Sequence, residues 1–234
     1  MSCNSMPMPR KPAHNPEPLP DLISMGQAAI SAALARFADR GPDCHLLAVD
    51  ATCGNGHDTC FLARQLAAAC TDSQAYSVLS FDIQPAALDS ARRLTDSLPE
   101  AERGRIMFLR QSHDQLTAVL HERRAGLLAS GVASPLAVVM YNLGFLPRSD
   151  KRVTTRKDTT LASLDQAASA LDPDGLLAVH AYAGHPGGPE ELAAVEAWCA
   201  DLPFAKWSVM RYAACNKVRN PEALFLAWKR GDCS

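Results

Sequence analysis

Two carboxylates and a glycine turn carry the first chemical signal in this sequence. Asp50 ends the apolar run Leu46-Leu47-Ala48-Val49 and precedes Ala51-Thr52-Cys53-Gly54-Asn55-Gly56. Asp82 ends a second apolar run, Leu79-Ser80-Phe81. An acid closing a strand, followed by a turn and a helix start, places a carboxylate and backbone N–H groups in one crevice. Open α/β sheets bind nucleotide-like ligands there. A dinucleotide turn reads G-x-G-x-x-G, but Thr59 occupies the third glycine position. Asp50 would repel a pyrophosphate and suits a ligand with a positive group, such as the ammonium of an amino acid. Asp82 suits the two hydroxyls of a ribose, and Gln84 is close enough to share that task. A nicotinamide oxidoreductase remains the remote alternative.

The elements that must position these residues follow a βαβ series. Asp21 caps a helix whose apolar residues, from Leu22 to Phe37, recur at helical spacing. Strands are predicted over 45–51, 76–81, 105–110, 135–141 and 175–182, with helices over 57–69, 85–98, 114–128, 158–171 and 189–200. Asp158 is expected to cap its helix, and a polar loop fills 142–157. Strands over 207–213 and 223–228 close the chain as a hairpin. The expected fold is α/β, a doubly wound and mostly parallel sheet with an antiparallel hairpin at its end. One domain is expected over 21–234, preceded by a disordered, proline-rich tail over 1–20.

Composition narrows the partners. The chain has 234 residues, 47% of them hydrophobic, and a net charge of −2, so bulk charge does not announce a nucleic-acid binder. The eight cysteines form no C-x-x-C pair. They are expected to be reduced thiols of a cytoplasmic protein without a bound metal. No segment has the length of a membrane span. The N-terminal stretch lacks a secretory h-region, and a plastid address is the minority reading.

Four further segments sharpen the picture. They are Gly54-Asn-Gly-His-Asp-Thr59; Tyr141-Asn-Leu-Gly-Phe-Leu-Pro147 with Asp150-Lys151; Thr159-Thr160-Leu161; and Gly184-His-Pro-Gly-Gly188 followed by Glu190-Glu191. Together with the acid-x-x-x-Gly-x-Gly turn, they resemble class I S-adenosylmethionine methyltransferases. More closely, they resemble the family long labelled rRNA methylase. Its characterised members methylate the aminomethyl group of 5-aminomethyl-2-thiouridine at the tRNA wobble position. The resemblance spans about Gly26 to Trp228 and implies a seven-stranded Rossmann-like fold.

It also implies residue roles. Asp50, Gly54, Asn55, Gly56 and Asp58 would hold the methionine part of the cofactor, and Asp82 and Gln84 the ribose. Ser112 and His113 would meet the adenine edge, and Asn142 would stand between cofactor and acceptor nitrogen. Leu143, Gly144, Gly184 and Gly187 would face the substrate. Arg148, Lys151 and Arg152, in a loop of five basic residues, would hold phosphates of the anticodon arm. Asn142 would orient the acceptor amine, and the candidates for steering or accepting the proton it must lose are Tyr141, His113, Asp114 and His185. His45 and His180, at or inside apparent strands, are expected to be packed or solvent-facing rather than catalytic. Alternatives are rRNA or a small amine as substrate, and a homodimer is left open.

Overall fold

In the computed structural model, residues 20–38, 40–41, 43–70, 75–144 and 154–231 are described. Residues 1–19 of the tail expected over 1–20, and the basic residues Arg148, Lys151 and Arg152, lie outside them. The strands are β1 (His45–Asp50), β2 (Ala75–Phe81), β3 (Ile106–Leu109), β4 (Leu136–Leu143), β5 (Leu176–Tyr182), β6 (Trp207–Tyr212) and β7 (Glu222–Lys229). They form one seven-stranded sheet in the order β3-β2-β1-β4-β5-β7-β6. β1 to β5 run parallel, while β7 is antiparallel to both β5 and β6. The strand order reverses between β1 and β4, so the ligand crevice of such a sheet opens at their carboxyl ends.

Helices cover both faces: α1 (Leu22–Ala35), α2 (His57–Ala69), α3 (Pro85–Thr95), α4 (Glu100–Arg103), α5 (Leu116–Ala129), α6 (Lys157–Ala170) and α7 (Gly188–Asp201). The alternation of side chains along β1 divides the core in two. Leu46 and Ala48 pack with Ile30, Leu34, Leu62 and Leu66 of α1 and α2. Leu47 and Val49 pack with Leu116, Leu164 and Val195 of α5, α6 and α7. A strand covered on both faces shows no polar alternation, which is why Leu46 to Val49 of β1 are all apolar.

Local differences from the sequence reading have local causes. The helix expected over 85–98 stops at Thr95, and a separate short α4 follows Pro99. A 3-10 turn, His113–Gln115, precedes α5. Asp158 sits in the first turn of α6 instead of capping it, and Arg156 at the cap makes no side-chain cap bond. A carboxylate there still meets the positive helix end favourably. Asp21 does cap α1, accepting from the Ser24 N–H at 2.7 Å. β4 runs two residues beyond its expected end and takes Asn142 and Leu143 into the sheet.

Candidate active site

The loop after β1 is held from below by Asp50. This carboxylate is 1% exposed. One of its oxygens accepts from the Thr52 N–H at 3.2 Å, the other from the Thr59 hydroxyl at 2.6 Å. Thr59 Oγ1 also lies 2.6 Å from Ser80 Oγ on β2. Asp50 therefore lies beneath the turn, both oxygens engaged. Thr52 explains itself by its hydroxyl, which accepts the Asn142 N–H at 2.7 Å and ties the turn to β4. A glycine there has no such acceptor.

Asp82 holds the turn from the other side. Its Oδ2 accepts from the Gly54 N–H at 2.9 Å and its Oδ1 from the Gln84 N–H at 2.8 Å. Gly56 turns the chain into α2 with φ at +87°, and a Cβ there would lie 2.7 Å from Ala91 Cβ and 2.8 Å from Ala91 Cα on α3. A side chain is excluded both by conformation and by the close approach of a neighbouring backbone.

Asp58, on the first turn of α2, is the carboxylate that reaches the crevice. It accepts a hydrogen bond from the Asn142 amide. Burial raises its pKa, with the Asn142 bond working the other way. Asp58, Asn142 and His180 line a narrow cleft roofed by Leu22, Gly26 and Ile30 of α1. A wider cavity, bounded by Arg40, Asp43, Arg124 and Asp172, lies at the amino ends of β1 and β4, away from this chemistry. Among the described residues, Asn142 Oδ1 is a buried acceptor without a hydrogen-bond partner, and His113 Nε2 is likewise buried and unpartnered.

The other singled-out residues separate into groups. Tyr141 is 1% exposed, and its hydroxyl lies 2.7 Å from Ser163 Oγ in the opposite layer from Asp58. His113 packs edge-on to Tyr141, its backbone carbonyl accepting from Ser163. Burial lowers its pKa, with Asp114 and the Ala51 backbone opposing. Ser112 precedes this turn, and Asp114 contacts Gln115 and, through its carbonyl, Gln166. Asn55 is half-buried in the glycine turn. Gly144 lies against His185 and Tyr182, so the substrate-side segments 142–144 and 184–188 do meet. Leu143 is buried, while Gly184 and Gly187 are exposed.

Several residues have partners here that the sequence alone did not reveal. Glu191, 2% exposed, accepts from Thr155 and Thr160, both at 2.6 Å. It thereby joins two of the ordered segments, Thr159-Thr160-Leu161 and Glu190-Glu191. His180 and Tyr182 of β5 and Glu222 of β7 form a hydrogen-bonded chain beside Asn142. Near the terminal hairpin, Arg211 pairs with Glu196 and Lys217 with Glu222.

The buried Asp50 makes a testable stability signature. Burial, reinforced by Asp58, pushes its pKa up from 3.8 to about 7. The folded state thus binds this proton more tightly than the unfolded chain. The stabilisation is full below about pH 4 and is lost as pH rises through about 7. Asp50→Asn keeps an acceptor for the Thr52 N–H and offers Thr59 an N–H in place of an acceptor, without the charge. Thermal melts should show Asp50→Asn stabilised at pH 8 by roughly 1–4 kcal/mol relative to its effect at pH 4. Equal effects at both values would refute a strained carboxylate.

Comparison with known proteins agrees with this arrangement. Residues 78–227 match the profile of the family described as "Putative rRNA methylase". The chain is 32% identical over 179 residues to the chloroplastic tRNA (mnm(5)s(2)U34)-methyltransferase of Arabidopsis thaliana. That match covers 76% of this chain but 61% of the relative, so the chain spans about three fifths of the plant protein's length. A crystal structure of a protein of the same family description from Clostridium thermocellum superposes with a TM-score of 0.69 at 26% identity. It covers 90% of this chain and 98% of the other. A candidate methyltransferase from Streptococcus mutans, solved with SAH, shares the fold with a TM-score of 0.67 at 24% identity, over 90% and 99% of the two chains.

Sheet order, glycine turn and strand-end carboxylates are those of the class I methyltransferase fold. Within that class the chain belongs to the rRNA methylase family.

Proposed function

We propose that this methyltransferase N-methylates the aminomethyl group of 5-aminomethyl-2-thiouridine at the wobble position of tRNA. The observation that carries the reading is the buried Asn142 Oδ1, an acceptor unpartnered among the described residues, at the carboxyl end of β4 beside the Asp58 carboxylate. A carbonyl oxygen there suits an amine N–H, and the carboxylate suits its positive charge. The name of the plant relative supports the same substrate.

The residues present fit the cofactor. Among the described residues, the buried Asn142 Oδ1 and His113 Nε2 are without hydrogen-bond partners, as atoms that meet a ligand would be. Backbone of Gly54 and Gly56 with Asn55 and Asp58 would hold the methionine part. Asp82 and Gln84 would take the ribose, and Ser112 and His113 the adenine. Asp50 would act from beneath, by fixing the turn. S-adenosylmethionine, when bound, supplies a methyl group on a good leaving group. The protein's own task is therefore to align a neutral amine with that methyl and to exclude water. Asn142 orients the amine, Gly144 and Leu143 shape its approach, and the segment from Gly184 to Gly188 closes on the same side.

We assign residues 21–234 to one methyltransferase domain acting in the cytoplasm, where the free thiols of the described residues stay reduced. Among the described residues, no helix is long and apolar enough to cross a membrane. The basic loop bearing Arg148, Lys151 and Arg152 would grip the anticodon arm.

The test supplies labelled cofactor and tRNA from cells lacking this methyl group. Label should appear in the methylaminomethyl nucleoside after nuclease digestion, and tRNA affinity should fall steeply between 50 and 200 mM salt, the range over which phosphate contacts weaken. Label in rRNA or in a free amine would redirect the substrate. A salt-independent affinity would remove the loop from the interface.

A further inference from the structure

A primary ammonium must lose a proton before its nitrogen can attack a methyl group. Asn142 cannot take that proton, and Tyr141 faces the other layer with its hydroxyl bound to Ser163. The neighbouring strand offers another route. His180 is the register partner of Asn142 in the β4–β5 pair and lines the same cleft as Asn142 and Asp58. Tyr182, two residues on, lies against Gly144 and within electrostatic reach of Asp58. The Tyr182 hydroxyl is 2.8 Å from His180 Nδ1, and His180 Nε2 is 3.1 Å from Glu222 Oε2. Glu222 Oε1 accepts from Lys217 Nζ.

The roles along this chain follow from what each group can do. A carboxylate only accepts, so Nε2 carries the hydrogen toward Glu222. Nδ1 is then the acceptor, and the Tyr182 hydroxyl donates to it. Side-chain exposure rises outward, from 6% at His180 to 23% at Glu222 and 43% at Lys217, which gives a proton a way to solvent.

Resting on the amine-substrate reading, we propose that Tyr182, His180 and Glu222 form the proton acceptor of the methyl transfer. The substrate ammonium gives a proton to Tyr182 Oη while the Tyr182 hydroxyl proton passes to His180 Nδ1. The freed nitrogen lone pair then forms the N–C bond as the S–C bond breaks. The proton rests on the imidazolium, paired with Glu222, and leaves from Nε2 toward solvent; proton exchange with solvent at the emptied site then restores the Nε2–H tautomer for the next turnover. Tyr182 is the residue that touches the substrate; His180 acts through it, and Glu222 positions His180.

The electrostatic surroundings agree. Burial lowers the His180 pKa, with Glu222 the main opposing influence, Lys217 lowering it further and Asp21 of the α1 cap raising it. The imidazole is thus free to accept near neutral pH. Burial raises the Glu222 pKa, but Lys217 and His180 outweigh it and hold the carboxyl below its ordinary range. Burial, with Glu222, Asp58 and Asp21, drives the Tyr182 phenol far above its usual range, so it relays a proton without resting as phenolate.

The test measures single-turnover methyl transfer to amine-bearing tRNA against pH, for wild type, Tyr182→Phe, His180→Gln and Glu222→Gln. Tyr182→Phe, which removes only a hydroxyl, and His180→Gln should each lower the pH 7 rate by roughly 100-fold. Cofactor Kd should stay within about threefold, and the rate should recover as pH approaches about 9 because solvent base then removes the proton. Glu222→Gln should move the acid limb to lower pH, since the lost charge no longer raises the imidazole pKa. Nitrogen NMR of the cofactor-free protein should find the proton on His180 Nε2, with a titration point that falls in Glu222→Gln. An unchanged Tyr182→Phe rate, a His180→Gln pH profile parallel to wild type, or a proton on Nδ1 overturns the relay while leaving the substrate reading intact. A wild type that methylates no amine-bearing tRNA overturns both.

Discussion

Asn142→Ala is expected to reduce single-turnover methyl transfer by roughly 100- to 1,000-fold, with cofactor Kd moving by less than about tenfold. The side chain is locked from two directions. Its backbone N–H is bound by Thr52 Oγ1 at 2.7 Å, and its amide nitrogen donates to Asp58. Both contacts leave Oδ1 as a fixed, buried acceptor. Such an atom costs free energy in the absence of a partner and recovers it when a partner arrives. If that partner is the acceptor amine, truncation removes orientation from the reacting nitrogen and leaves the remaining cofactor contacts in place. Calorimetry for binding and rapid quench for transfer separate the two. A transfer rate within threefold of wild type would show that Oδ1 serves another group. Thr52→Gly, which deletes the tie to β4, should give a smaller loss of the same kind.

The second large effect is expected at Gly56. Gly56→Ala meets both a left-handed φ of +87° and the Ala91 backbone at 2.8 Å. Gly187→Ala supplies the matching control, because φ is +81° there but nothing lies within 4 Å of the added Cβ. The dihedral strain alone is about 1–2 kcal/mol. The collision with α3 adds about 1–3 kcal/mol at Gly56. Gly56→Ala should therefore lose about 3 kcal/mol, a fall in Tm of roughly 6–12 °C, against roughly half that or less for Gly187→Ala. Equilibrium dialysis should show cofactor binding lost in Gly56→Ala and kept in Gly187→Ala. Equal destabilisation of the two would mean that α3 yields to the methyl group.

Much of this architecture is legible in the sequence because each apolar run is long enough to be a buried strand and each is followed by a helical period. The strand-end acids Asp50 and Asp82 and the turn between them are visible for the same reason. What the local pattern misses is set by distant partners. Asn142 and Leu143 look like the start of a polar loop, and they join β4 only because β5 lies alongside through Ala181. Asp50 looks like a ligand contact, yet Thr59, nine residues on, folds back to cap it from within. His180 looks like a packed strand histidine. Its chemistry depends on Glu222, 42 residues later, and on the antiparallel register that brings β7 beside β5. Nothing in either segment alone announces that meeting.

That register has a consequence for biosynthesis. Everything assigned to the cofactor lies at or before Asn142, on strands that can pair as soon as they leave the ribosome. Glu222 belongs to β7, which inserts between β5 and β6 and completes the sheet last. A nascent chain could therefore acquire the cofactor cradle well before it acquires the carboxylate beside His180. Maturation would be ordered, with capture of the methyl donor ahead of competence to deprotonate an amine.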